Sequence, residues 1–321
     1  MTLTCKSCPF MKRIGLALLP LSVFFVIIAA RPVVAPAAIR IGIRYQKEIL
    51  SNRVNALTIL PGKAVTFEVI DPDPGSIYVA QPTGGKLVPL GTGRWVWTSP
   101  SKPGLYPIQV LAPDSGDKVT LMAFVLVPFR QLRGEFLNGY RIGRYPKKTL
   151  PGLPSPAGFI EVTKKNEDLL VSPNFRLKQF LCKQPSCSRK YLLLNERLPL
   201  ALEYVLERAK LAGYRATTFH IMSGYRTPSY NFSLGNVRLS AHQWGAAADI
   251  FIDEDGDGVM DDLNGDGVSD IRDAEVLYQL IDDAAAQPEG QKLIGGIGKY
   301  PSTAAHGPFV HVDIRERQAR W

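Results

Sequence analysis

Two short polar islands in apolar sequence constrain this chain more than any other feature. One is Ser240–Ala241–His242–Gln243–Trp244–Gly245–Ala246–Ala247–Ala248–Asp249, and the other is His311–Val312–Asp313. The 321 residues contain only four histidines, and the islands hold two of them. A His and an Asp seven residues apart, joined by a distant His, form a three-ligand set for a catalytic zinc whose fourth position stays open to water. A chain that uses this set must bring two distant segments to one point. The H-x6-D spacing alone is a weak signal. It gains weight from its setting, SGYRTPSYN, then SAHQWGAAADIFID, then HGPFVHVDIR.

The length leaves room for two domains, and 45% apolar with 21% charged residues is the composition of a globular chain. Residues 1–37 differ from the rest. Met11–Lys12–Arg13 is basic, Ile14 to Ala30 is largely apolar, and Val34–Ala35–Pro36–Ala37 is small-residue sequence. That pattern reads as an export signal, with an uncleaved membrane anchor as the alternative. Either way, the folded part is expected outside the cytoplasm, in the periplasm or cell envelope. The formal charge is +9, yet residues 253–273 hold nine acids and one arginine. A basic surface carrying an acidic island suits a polyanionic envelope. No nucleic-acid motif accompanies the charge, so nucleic acid is not expected as a partner. A monomer is expected. Cys5 and Cys8 precede the apolar segment, whereas Cys182 and Cys187 bracket KQPS in the exported part. In an oxidising compartment the latter two are expected to form a disulfide, since a zinc knuckle would need partners the chain lacks.

Residues 38–129 read as an all-β, immunoglobulin-like sandwich. Short apolar or β-branched runs at Ala56–Leu60, Ala64–Val69, Ser76–Ala80, Trp95–Thr98, Tyr106–Leu111 and Val119–Val127 recur near every ten residues, with Pro/Gly/Asp turns between them. The region is expected to support the rest of the chain, with glycan binding through Trp95 and Trp97 as the alternative. Residues 130–157 read as a linker in which Arg130, Arg133, Arg141 and Arg144 are interleaved with Phe136, Tyr140 and Tyr145. Such a stretch either touches polymer or packs across a domain seam. Residues 158–321 read as an α+β domain with an antiparallel sheet. Helices are expected at Pro199–Ala212 and Asp273–Ala286, and strands at Tyr214–Met222, Ala247–Ile252 and Phe309–Ile314. Period two puts His311 and Asp313 on one strand face. His220 reads as a satisfied core histidine.

The acidic insertion 253–273 has calcium-loop spacing. Asp253, Asp255, Asp257, Gly258, Asp261 and Asn264 occupy positions 1, 3, 5, 6, 9 and 12. Asp262, Asn264, Asp266, Gly267, Asp270 and Asp273 repeat the pattern. The two loops overlap at 262–264, so they are expected to hold one Ca²⁺, or two with shared ligands.

Ser223–Gly224–Tyr225–Arg226–Thr227–Pro228, with Ser240, His242, Gly245, Ala247 and Asp249 and then His311 and Asp313, resembles the zinc D-alanyl-D-alanine peptidases. The likeness is to their periplasmic members, which trim or cut peptidoglycan stem peptides, and it covers roughly residues 159–321. The resemblance implies that His242, Asp249 and His311 hold Zn²⁺. It implies that Arg226 clamps a substrate carboxylate or steadies the oxyanion, and that the chain is a D,D-carboxypeptidase or a cross-link endopeptidase acting on stem peptides. Ser240 is expected to support the loop by hydrogen bonding. The chain departs from the family at the general base. Pro308 and Phe309 stand where relatives carry an acid or a histidine, leaving Asp313 and His306 as candidates. That departure keeps a second reading open, a non-catalytic wall-binding protein that retains the metal site. A different zinc amidase or peptidase of the envelope is a third.

Overall fold

The ten-residue rhythm of the amino-terminal region becomes two five-stranded sheets in the computed structural model of the protein, which describes residues 41–72, 74–186 and 189–321. The predicted export segment, Cys5, Cys8 and Cys187 lie outside the described residues, so the expected Cys182–Cys187 bridge does too. The strands are β1 (Ile43–Tyr45), β2 (Glu48–Leu50), β3 (Val54–Ile59), β4 (Ala64–Val69), β5 (Val79–Pro82), β6 (Lys86–Gly91), β7 (Arg94–Thr98), β8 (Gly104–Leu105), β9 (Ile108–Ala112) and β10 (Asp117–Val125). One sheet runs β2-β1-β4-β7-β6, and the other runs β3-β10-β9-β5 with β8 on β10. Every pair is antiparallel except β3 with β10. Phe67, Trp95 and Trp97 from the first sheet share one apolar cluster with Leu57, Val110 and Leu121 from the second. Trp95 and Trp97 are core residues, 5% and 0% exposed, which removes them as a glycan-binding surface. Phe67 stacks on Trp95, and the Trp97 indole N–H donates to the Gly84 carbonyl at 2.9 Å.

Strand β10 is apolar on both faces. Period two turns Val119, Leu121, Ala123 and Val125 into the amino-terminal cluster, and Met122 and Phe124 into the main core. This explains why Val119–Val127 reads as a continuous apolar run rather than an alternating one. The main core therefore reaches the underside of the β3–β10 pair, and the described residues belong to one compact unit. The Glu196 carboxylate joins in here. It accepts the Thr58 amide at 2.8 Å and the Thr58 hydroxyl at 2.6 Å.

Beyond β10 come β11 (Val127–Pro128), the hairpin β12 (Phe136–Leu137) and β13 (Tyr140–Arg141), then β14 (Gly158–Val162), β15 (Leu170–Ser172), β16 (Phe175–Arg176) and β17 (Lys190–Leu192). Strands β11, β14 and β17 form a small sheet. In the predicted linker, Leu137, Tyr140, Ile142 and Leu153 are buried in the main core. Tyr145 packs edge-on to Trp244 at 5.9 Å, and its hydroxyl donates to the Gln243 carbonyl at 3.0 Å. The segment thus lies against the turn that carries His242.

The carboxy-terminal elements are α1 (Arg197–Leu211), β18 (His220–Ser223), α2 (Pro228–Ser233), β19 (Ala247–Phe251), α3 (Ile271–Ala286), α4 (Pro288–Leu293), β20 (Gly296–Tyr300), β21 (Phe309–Asp313) and β22 (Ala319–Arg320). The sheet order is β18-β19-β21-β20-β22, antiparallel apart from β20 with β22. Ala248, Ile250, Val310 and Val312 are fully buried in the same cluster as Leu277 and Ile281 of α3. The opposite face carries Asp249, His311 and Asp313. The described residues thus form a mixed α and β architecture with several antiparallel and mixed sheets. Among them, no helix is long and apolar enough to cross a membrane.

Candidate metal centre

Strand register sets the site. Asp249 on β19 lies directly opposite His311 on β21, and Ser223 on β18 lies opposite Asp249. The third donor comes from a loop. His242 sits in a single 3-10 turn, Ala241–Trp244, that ends at Gly245 in the left-handed region with φ 61°. A Cβ at Gly245 would meet the Leu193 carbonyl oxygen at 2.1 Å, so only glycine fits this bend. The His242 carbonyl accepts the Arg226 amide at 3.1 Å, tying the turn to the Ser223–Pro228 segment. Ser240 supports the turn through its backbone, its carbonyl accepting the Gln243 amide at 3.0 Å, and its hydroxyl makes no capping bond.

Three donor atoms converge. His311 Nδ1 lies 2.8 Å from Asp249 Oδ1 and 3.2 Å from His242 Nε2, and His242 Nε2 lies 3.2 Å from Asp249 Oδ1. Donors at ~2.0–2.1 Å on three corners of a zinc tetrahedron stand ~3.3 Å apart. The triangle has that scale, and all three residues are buried. The outer ring nitrogens are held as a metal site requires. His242 Nδ1 donates to the Gly224 carbonyl at 2.7 Å, and His311 Nε2 lies 3.2 Å from Asp313 Oδ2. Each bond turns the lone pair of the opposite nitrogen toward the triangle. Asp249 Oδ2 is taken by the Arg226 guanidinium, which leaves Oδ1 for the cluster. The residues fit a divalent metal with nitrogen and oxygen preference, zinc among them.

The two imidazoles are shifted in opposite senses. Burial pushes His242 down from its ordinary value. Burial also opposes ionisation of Asp249, but the two imidazoles outweigh it and hold the carboxyl well below its usual range. For His311 burial opposes the charged form, yet Asp249 and Asp313 outweigh it and push the ring up to about 9.

The two candidate bases are placed differently. Asp313 is fully buried behind His311. Besides that ring, its carboxylate accepts the Gly296 amide at 2.9 Å, the Arg315 amide at 3.0 Å and the Arg315 guanidinium. With its oxygens so occupied, it orients His311 and does not face the open side of the triangle. His306 lies on the wall of the cavity that the triangle borders, packed edge-on to Phe309 at 5.0 Å. That cavity measures about 790 Å³. Arg226, Arg315 and Lys183 border it, as do Tyr230, Leu234 and Val237.

His220 was not expected there. It lines the same cavity, stacked on Phe251 at 4.3 Å, with Nδ1 3.0 Å from Asp253 Oδ2. The pairing of β18 with β19 puts it opposite Phe251, two residues along from Asp249 and on the same face. That register is the signal by which it can be found.

In the acidic insertion, ligand oxygens of Asp253, Asp255 and Asp261 lie within 4.8 Å of one another. Asp257 is exposed, and its Oδ1 accepts the Val259 amide at 2.7 Å. The second predicted loop is differently committed. Asp262 accepts the amides of Gly265, Asp266 and Gly267. Asn264 Oδ1 accepts the Asp266 amide. Asp273 is fully buried and accepts the amides of Leu263, Asn264 and Asp270, forming with Asp270 the capping box of α3. Arg272 pairs with Asp266 at 2.6 Å and Asp270 at 2.8 Å, which sets a positive charge among the second loop's oxygens.

No protein-family model matches the chain, and neither a curated protein nor a solved structure is significantly similar to it.

Proposed function

We propose that the protein is a zinc-dependent peptidase that hydrolyses D-amino-acid-containing stem peptides of peptidoglycan, as a D,D-carboxypeptidase or a cross-link endopeptidase. One observation carries this reading. His242, Asp249 and His311 converge, buried, on the border of a cavity large enough for a peptide. The motif resemblance to the zinc D-alanyl-D-alanine peptidases supplies the substrate class.

Zinc in such a three-donor site supplies Lewis-acid polarisation of a carbonyl and activation of water. The chain's own residues do the rest. Gly224 and Asp313 hold the two imidazoles in the tautomer that donates a lone pair inward. Arg226, fixed by Asp249 and by Ser223 Oγ at 2.7 Å, borders the cavity where negative charge develops on the scissile carbonyl. Lys183 adds positive charge suited to a peptide carboxylate at the cavity border. Water adds to the carbonyl, the C–N bond breaks, and the amine leaves with a proton. Of the two candidate bases, His306 is the one on the cavity wall.

Export to the periplasm or cell envelope, a disulfide between Cys182 and Cys187, an immunoglobulin-like module in the amino-terminal sheets and Ca²⁺ in the acidic insertion belong to the same reading. The apolar segment before residue 38, the compartment it implies, the rhythm of the strands and the loop spacing support them. A second reading, a wall-binding protein that keeps the metal without turnover, is favoured by Pro308 and Phe309 standing where relatives carry a base. Incubation of the zinc-loaded protein with purified muropeptides, beside a chelator-stripped control, tests both. Zinc-dependent loss of a terminal residue or of a cross-link, read by product mass, is expected. Zinc-replete protein that binds muropeptides without cleaving them would leave the second reading.

A further inference from the structure

Acidic loops crowd carboxylates on many surfaces, so the cluster of Asp253, Asp255 and Asp261 says little by itself. Asp253 is what distinguishes it. Its side chain is only 5% exposed. Its Oδ2 is occupied, by His220 Nδ1 at 3.0 Å and by the Gly258 amide at 3.1 Å. Its Oδ1 is buried with no hydrogen-bond partner. A buried acceptor left unpaired costs about 1–3 kcal/mol, and more when charged, so it points to a missing positive partner. Asp255 and Asp261 each bring a carboxylate oxygen within 4.8 Å of an Asp253 oxygen and of each other. The donor set is all oxygen, which selects a hard cation over zinc.

We infer that Asp253, Asp255 and Asp261 hold a single divalent cation of the calcium class, and that Asp253 transmits its binding to His220 on the wall of the metal cavity. One carboxylate thus serves two sites, with Oδ1 on the cation and Oδ2 on the imidazole. Arg272 keeps the second loop from taking another ion. The inference rests on the peptidase reading only for the consequence that His220 meets substrate.

Zinc-loaded full-length protein titrated with CaCl₂ in a calorimeter should bind one Ca²⁺ per chain, with Kd in the ~10⁻⁶ to 10⁻³ M range. Asp255→Asn, an exposed change that spares the fold, and Asp261→Asn should each weaken binding roughly tenfold or more by removing a ligand charge. Asp266→Asn should alter it less than about twofold, because that residue belongs to the second loop. In imidazole NMR spectra Ca²⁺ should shift the His220 ring signals, assigned by their loss in His220→Gln, and leave those of His306 in place. Absence of binding heat, or equal weakening by Asp266→Asn, overturns the site. Unmoved His220 signals with Ca²⁺ bound overturn the link to the cavity. Zinc content and muropeptide cleavage, measured on the same samples, keep the readings apart. Ca²⁺ binding without cleavage sinks the peptidase alone, and cleavage without Ca²⁺ binding sinks this inference alone.

Discussion

Asp313 governs how His311 can serve a metal. Its carboxylate sits behind the imidazole, saturated by Gly296 and Arg315, and it fixes which nitrogen carries the proton. Asp313→Asn should therefore lower zinc affinity by about 10–100-fold, measured by chelator competition. Loss of turnover at unchanged zinc affinity would return Asp313 to the role of base. Arg226 acts on the other side of the triangle. Arg226→Ala should cut turnover by about 10²–10³-fold, because its charge borders the cavity, and should also weaken zinc binding, because its guanidinium holds Asp249 Oδ2. The clustering of His242, Asp249 and His311 was legible in the sequence, from the ligand spacing of two short polar islands together with the motif resemblance. The place of His220 was not. Its partner Asp253 lies 33 residues on, and an apolar neighbourhood in sequence does not reveal which face of an edge strand a histidine takes.

Among the elements, the turn after Ser240 carries the tightest requirement. Gly245→Ala would force a Cβ into the left-handed region and against the Leu193 carbonyl. A destabilisation of roughly 2 kcal/mol or more is expected, with weakened zinc binding, read by denaturant midpoint and metal content. Helices were read well from apolar periodicity. The expected Pro199–Ala212 and Asp273–Ala286 appear as Arg197–Leu211 and Ile271–Ala286. The strand expected over Tyr214–Met222 shrinks to His220–Ser223 for a physical reason. Before it, side chains satisfy the backbone, with the Thr217 amide donating to Glu254 and the Phe219 carbonyl accepting from Gln179. A period-two pattern does not distinguish a backbone paired to a strand from one paired to side chains.

At the scale of the whole molecule, Glu196 tests how firmly the amino-terminal sheets are joined to the rest. Burial pushes its carboxyl up from the ordinary value. A raised carboxyl holds its proton more tightly folded than unfolded, so its contribution favours folding at low pH and is lost as pH rises through the raised value. Glu196→Gln stays neutral and still accepts from Thr58. Its stability should therefore gain on the wild type as pH rises above the ordinary carboxyl range, read by paired urea titrations. The rhythm of residues 38–129 made the sheets legible, but not their cover. A strand buried on both faces looks the same in sequence whether its second face meets a neighbour in the same chain or a separate subunit. Here β10 belongs to two cores at once, and this bears on how the protein comes apart. Neither half can melt without stripping a wall from the other, so heating should give one calorimetric transition rather than two. For the same reason the amino-terminal region is no detachable cassette. A protein shortened to begin after residue 125 would bare the apolar surface that Met122 and Phe124 now cover, and should precipitate rather than work.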